Sequence, residues 1–197
     1  LSTALRSLAQ CTELWLDCVD DGVASDIART LSAPAPAAPL LAVLSLGREL
    51  SDVGGQRLAH ALSRRGAPLL RELHLSSNRI GQRTMEAFCS AMRSGSLCAL
   101  EELRCNHNLL GDAAAAAIAA GVLSGGVPRL RHLWLGGNRI GDAGAAELAR
   151  TVRPRAAAVA CAAALAGSSQ AALAGSSQAA PGARALSSSL VVLALYS

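Results

Sequence analysis

The sequence predicts an α/β solenoid, a bent stack of strand-plus-helix units with a parallel sheet on its concave side and helices on its convex side. Three observations carry this. The stretch 130–140 reads L-x-x-L-x-L-x-x-N-x-I, with Leu130, Leu133, Leu135, Asn138 and Ile140 in the specified positions. The same spacing stands upstream at Leu100, Leu103, Cys105, Asn108 and Leu110, and again at Leu70, Leu73, Leu75, Asn78 and Ile80. Behind each copy runs an apolar stripe at helical spacing. Self-similarity at a fixed period marks stacked units that bury one continuous core between neighbours, so the chain reads as one solenoid and not as two globular domains.

The paired strand leucines fix the register. They fall at Leu14/Leu16, Leu44/Leu46, Leu73/Leu75, Leu103/Cys105 and Leu133/Leu135, in steps of 30, 29, 30 and 30 residues. Each strand is followed by a helix. The pattern is best preserved at Gly141-Asp142-Ala143-Gly144, where Asp142 suits a helix N-cap and Leu148 begins the apolar stripe. Asp52 and Asp112 occupy the same slot, with Leu58 and Leu62 or Ile118 and Val122 behind them, whereas the third copy has Gln82. Helices are expected to stop at glycines, most plainly at Gly66 before Pro68. The first two turns are shorter and carry no Asn, so a ladder of Asn78, Asn108 and Asn138 begins only at the third unit.

The two ends differ from this pattern. Leu5 and Leu8 read as the tail of a preceding helix, which suggests that the sequence opens inside a longer coil. Past Arg155 the composition turns to Ala, Ser and Gly, with the octet 163–170 repeated at once as 171–178. The domain reading is therefore a solenoid of about five strand–helix repeats over 1–153, then 154–189, and last 190–197 as the strand of a truncated seventh repeat. The middle segment is either a degenerate Ala/Ser/Gly-rich sixth repeat or a flexible insert, since serine and glycine bury little apolar area against the entropy of ordering.

Composition narrows the function classes. The chain has 197 residues, 18 basic and 14 acidic, and every basic residue is Arg. The arginines are scattered without stacking aromatics between them, which argues against nucleic-acid binding. The most apolar run, 156–167, is too short and too rich in Ala to span a bilayer, so no membrane segment is expected. Six cysteines show no C-x-x-C pair, and Cys11 and Cys105 stand where the repeat wants an apolar residue; they read as small buried hydrophobes in a reducing, cytoplasmic setting. His74 and His132 would stand roughly 10 Å or more apart, too far to share an ion, and no metal or other cofactor is expected. No nucleophile–base constellation is in register, so an enzyme is not expected, nor a small-molecule substrate.

Residues between the strand leucines alternate to the open face of the sheet. Across the five units the first column reads Glu13, Val43, Glu72, Glu102, His132, the second Trp15, Ser45, His74, Arg104, Trp134, and the third Asp17, Gly47, Ser76, Asn106, Gly136. Both tryptophans fall in one column, roughly 20 Å apart, a span suited to a protein surface. Trp and Arg are enriched among interface anchors. The expected protein-binding residues are Glu13, Trp15, Asp17, Glu72, His74, Glu102, Arg104, His132 and Trp134. The competing reading is that the rings merely cover neighbouring leucines. The asparagines, by contrast, are expected to bond turn backbone and to have no ligand role.

The repeat seen whole at Leu130 to Ala149 resembles the leucine-rich repeat, specifically the ribonuclease-inhibitor-like subfamily shared by cytosolic ribonuclease inhibitors, the sensor regions of NOD-like receptors and the Ran GTPase-activating proteins. The resemblance covers about residues 11–152. It implies a horseshoe that binds a protein through its concave face or rim. Its matching positions are the buried ones, so it speaks for fold more than for partner. The function expected is a non-enzymatic protein–protein interaction module. The alternative that the resemblance implies is a GTPase activator of the Ran type, with a small GTPase as partner.

Overall fold

The structure, a computed structural model, describes residues 10–33, 38–151 and the backbone of 192–194. Within these, strands and helices alternate as expected: β1 (Glu13–Leu16), α1 (Asp21–Leu31), β2 (Val43–Leu46), α2 (Asp52–Ser63), β3 (Glu72–His74), α3 (Gln82–Arg93), β4 (Glu102–Arg104), α4 (Asp112–Leu123), β5 (His132–Trp134), α5 (Asp142–Thr151) and β6 (Val192–Ala194). Strands β1 to β5 pair in parallel and in sequence order. The paired leucines stand in register, Leu14↔Leu44↔Leu73↔Leu103↔Leu133. Each helix packs on its neighbour. Helices are wider than the roughly 4.8 Å between strands, so the sheet takes the concave side of such a stack.

The repeating leucines form the core. Leu44, Leu46, Leu73, Leu75 and Leu103 are sealed from solvent, and Cys105 joins them. Burial pushes the Cys105 thiol up to about 12, which makes it an inert apolar filler. Cys11 is part-buried against the core, whereas Cys18 and Cys98 are exposed.

The asparagine ladder starts where expected. Asn78 donates to Leu46 O, Leu75 O and Ser76 O while its Oδ1 accepts from Leu50 N. Asn108 and Asn138 repeat the arrangement, donating to the carbonyls of Leu75 and Cys105 and accepting from the Ile80, Asn108 and Leu110 amides. In the first unit the slot holds Val19, buried in the core, and the turn is closed by backbone, with Val19 N donating to Gly47 O. Two residues past the second strand leucine of each unit, the backbone is left-handed, at Cys18, Arg48, Ser77, His107 and Gly137. Only the fifth unit uses glycine there.

Two expectations about the helix ends need correction. The aspartates are not N-caps of their own helices. The caps are Asp20, Ser51, Gly81 and Gly111, and Asp52 and Asp112 sit one residue inside. Their carboxylates reach forward to the next unit. Asp21 accepts from Ser51 N, Ser51 Oγ and Gly54 N; Asp52 from Gly81 N, Thr84 N and Thr84 Oγ1; Asp112 from Gly141 N. A helix start gathers unpaired N–H groups and partial positive charge, so a carboxylate supplied by the unit before satisfies both. Burial alone would raise the pKa of Asp21, but the Ser51 and Gly54 bonds and the Arg57 charge hold it below the usual carboxylate range.

This relay explains a glycine. A Cβ on Gly54 would stand 2.5 Å from Asp21 Oδ1, and one on Gly144 2.6 Å from Asp112 Oδ1. After Asp52 the slot holds Thr84, whose hydroxyl donates to that carboxylate, and after Gln82 it holds Ala114, where Gly111 gains no carboxylate.

Glycine is also not needed at 66 to turn the chain. Arg65 takes the left-handed position after α2, as Gly95 and Gly125 do after α3 and α4. Gly66 instead allows close approach, since its Cβ would fall 2.4 Å from Leu31 O.

Strand β6 pairs directly with β5 and antiparallel, His132↔Ala194 and Trp134↔Val192. A strand of a seventh unit would run parallel and stand one strand further out. The antiparallel partner satisfies the free edge of β5, which the parallel stack leaves open. The expected helix tail around Leu5 and Leu8, the duplicated octet and the reading of 154–189 lie outside the described residues.

Candidate functional site

The open face of the sheet is built by the register. In the second column Trp15↔Ser45, Ser45↔His74, His74↔Arg104 and Arg104↔Trp134 are direct neighbours, and the first column runs Glu13↔Val43↔Glu72↔Glu102↔His132. All nine residues expected from the sequence lie on or beside this face, but they are not equally free.

Trp15 is 58% exposed, the most exposed aromatic ring described, and its Nε1 donates to Glu13 at 3.1 Å. Ser45 between them is small, which lets the Trp15 ring lean across β2 onto His74, with centroids 5.3 Å apart and planes at 68°. His74 therefore stands on the open face as expected but is covered there, at 8% exposure. Its Nε2 lies 3.2 Å from Glu72 Oε2 as an ion-pair contact and makes no well-formed hydrogen bond.

At the other end, Trp134 is half-buried. Its Nε1 donates to Glu102 Oε1 at 2.8 Å, and Arg104 Nε donates to the same oxygen at 2.5 Å. The Arg104 guanidinium stands over the Trp134 ring at 5.7 Å, in cation–π range. Asp17 is exposed, and His132 and Glu72 are half-buried.

The electrostatics follow from this packing. Burial lowers the pKa of His74, and the Arg104 charge lowers it further against the opposing pull of Glu72 and Glu102, so the imidazole is neutral at pH 7. Burial would raise Glu102, but the bonds from Arg104 and Trp134 overcome it and leave the carboxyl below the usual range. The third column beyond Asp17 is structural: Asn106 N donates to Ser76 Oγ, and Asn106 Oδ1 accepts from Gly136 N.

Trp134 is tied into a polar cluster, whereas Trp15 stands out from the sheet. One grouping was not found from the sequence: Glu72, His74 and Glu102 converge, with one ligand-type atom of each within 4.8 Å of the others. The signal was available, because both carboxylates share a column and His74 is two residues from Glu72.

The leucine-rich-repeat family model, "Leucine Rich repeat", matches residues 66–89 and 129–149. These are leucine-rich repeats. The matched segments span the third strand with its helix and the fifth strand with its helix, the two units in which strand leucines, turn asparagine and helix stripe are all present. The leucine-rich-repeat solenoid thus rests on the sequence match and on the parallel sheet together. No curated protein matches this sequence. Among the described residues, no helix is long and apolar enough to cross a membrane.

Proposed function

We propose that this leucine-rich-repeat solenoid is a non-enzymatic module that binds a protein partner through the open face of its sheet. Leucine-rich repeats generally serve protein–protein interaction. The observation that carries the reading here is Trp15, a large ring left 58% exposed on a sheet face where it adds little to the core. Exposed aromatic area beside Glu13 and Asp17 offers an apolar anchor with a charged surround, the usual composition of an interface hot spot. Repeats of 29 or 30 residues, each with a full helix of 10–12 residues, support the ribonuclease-inhibitor-like subfamily. A cytoplasmic setting is supported by free Cys18 and Cys98 on the surface.

The test compares wild type with Trp15→Ala/Trp134→Ala in affinity capture. The expected outcome is loss of partners that the wild type retains, with the thermal melt nearly unchanged. Equal recovery of every partner would remove the aromatic column from the interface. A small GTPase among the partners would then be examined by single-turnover GTP hydrolysis, where acceleration by this chain marks the activator role.

A further inference from the structure

We propose that Glu72, His74 and Glu102 form a binding site for a divalent first-row transition ion, with zinc the best match, in the middle of the sheet's open face. The three side chains come from two neighbouring strands, β3 and β4, and rigid in-register pairing places them. Glu72 and Glu102 are direct neighbours, so two carboxylates face each other across one strand spacing. Like charges at paired positions are unfavourable, and Arg104 offsets this pair from the Glu102 side only, through Oε1. His74 stands on the same face, and its donor atom is within 4.8 Å of both carboxylates.

The independent observation is the state of His74. The residue is more than nine-tenths buried, its Nε2 has no hydrogen-bond partner, and that nitrogen is turned toward Glu72 Oε2 at 3.2 Å. A buried polar nitrogen left unsatisfied costs about 1–3 kcal/mol, and such groups call for an explanation. A metal ion supplies one. The lowered basicity that burial gives this imidazole also favours its neutral form, the one that ligates metal.

The geometry suits zinc. Imidazole and carboxylate ligands bind Zn²⁺ at about 2.0–2.2 Å, so donors around a tetrahedral ion stand about 3.4 Å apart. His74 and Glu72 already meet that spacing at 3.2 Å, and the remaining separations, all within 4.8 Å, close by rotation of the glutamates. Three protein ligands leave a fourth position for water. Glu102 has an oxygen to offer, because Arg104 and Trp134 both bond Oε1. Arg104 is the opposing element: its positive charge beside Glu102 competes with the ion, which fixes the sign of one variant in the test.

Both tryptophans of the chain touch the cluster, Trp15 through its contact with His74 and Trp134 through its bond to Glu102, so intrinsic fluorescence reports on it directly. The experiment titrates the untagged full chain, freed of metal and kept reduced, with zinc chloride against a chromophoric chelator, and in parallel with cobalt(II) while following tryptophan fluorescence. One ion per chain is expected, with cobalt quenching the emission and giving no thiolate charge-transfer band. His74→Ala and Glu72→Gln should each weaken binding at least about ten-fold, while Arg104→Ala should tighten it. Circular dichroism checks each variant's fold. Glu72→Gln alters a half-exposed carboxylate and serves should His74→Ala unfold. Absence of stoichiometric binding, unchanged affinity in the folded Glu72→Gln variant, or a cobalt spectrum showing binding at cysteines only would each overturn the proposal. Titrating the protein alone keeps this result separate from the partner-binding reading.

Discussion

The two faces of the sheet follow opposite rules. On the inner face the same residue recurs at every step, Leu14, Leu44, Leu73, Leu103 and Leu133, and the last four are sealed from solvent. On the outer face Trp15, Ser45, His74, Arg104 and Trp134 succeed one another with no two neighbours alike. Stacking explains the first, because each unit presents the same mould to the next. Nothing in stacking requires the second. A face whose side chains are unconstrained by the fold is free to be shaped by what it meets, and the two rules can be separated by experiment.

The largest effect should come from the inner face. Leu103→Ala opens a cavity in a core one layer thick and is expected to cost about 2–5 kcal/mol in chemical denaturation. A loss below about 1 kcal/mol would mean that the inner face is not the mould. Next stands the turn ladder. Asn108→Ala strips hydrogen bonds from Leu75 O, Cys105 O and Ile80 N at once, and a cost of about 1–3 kcal/mol is expected from the same assay. Gly144→Ala drives a methyl toward Asp112 Oδ1 and should cost about 1–3 kcal/mol through overpacking. Combining it with Asp112→Ala should recover part of that loss, which a mere helix-propensity effect would not show.

The outer face should respond weakly in stability. His74, whose pKa is lowered by burial, binds its proton less readily folded than unfolded, so its contribution is present above the ordinary value of 6.5 and lost as pH falls below it. In metal-free buffer the melting temperature should therefore drop between pH 7.5 and 5.5, and His74→Gln should flatten that part of the profile. Asp21 and Glu102, also lowered, add their loss only further down, below 3.8 and 4.5 respectively. Smallest of all, Trp15→Ala should change stability by no more than about 0.5 kcal/mol. A larger loss would show that the exposed ring supports the fold after all and would blur the distinction between the faces.

The same division explains what the sequence made legible. Leucine spacing located all five parallel strands, since a period is visible without coordinates, and it placed the nine outer residues in their columns. It also located the asparagine ladder. It misread Asp52, Asp112 and Asp142 as caps of their own helices, because an N-cap is judged locally, whereas the partners of Asp52 and Asp112 lie about thirty residues on. It missed the convergence of Glu72, His74 and Glu102, because columns give strand positions but not the lean of a side chain: Ser45 is small, Trp15 tips over it, and His74 is covered. The direction of β6 was beyond reach for a related reason, as leucine spacing is the same read parallel or antiparallel.

The forward-reaching aspartates give the stack an unequal pattern of support. Every tethered helix start depends on its predecessor, so damage to one unit is felt by the unit after it more than by the one before. Gln82 interrupts this dependence, and the joint between the third and fourth units is fastened by polar bonds at its turn while the start of α4 receives no carboxylate from the unit before it. The tethered helix starts therefore fall into two runs, one from Asp21 to Asp52 and one that resumes at Asp112.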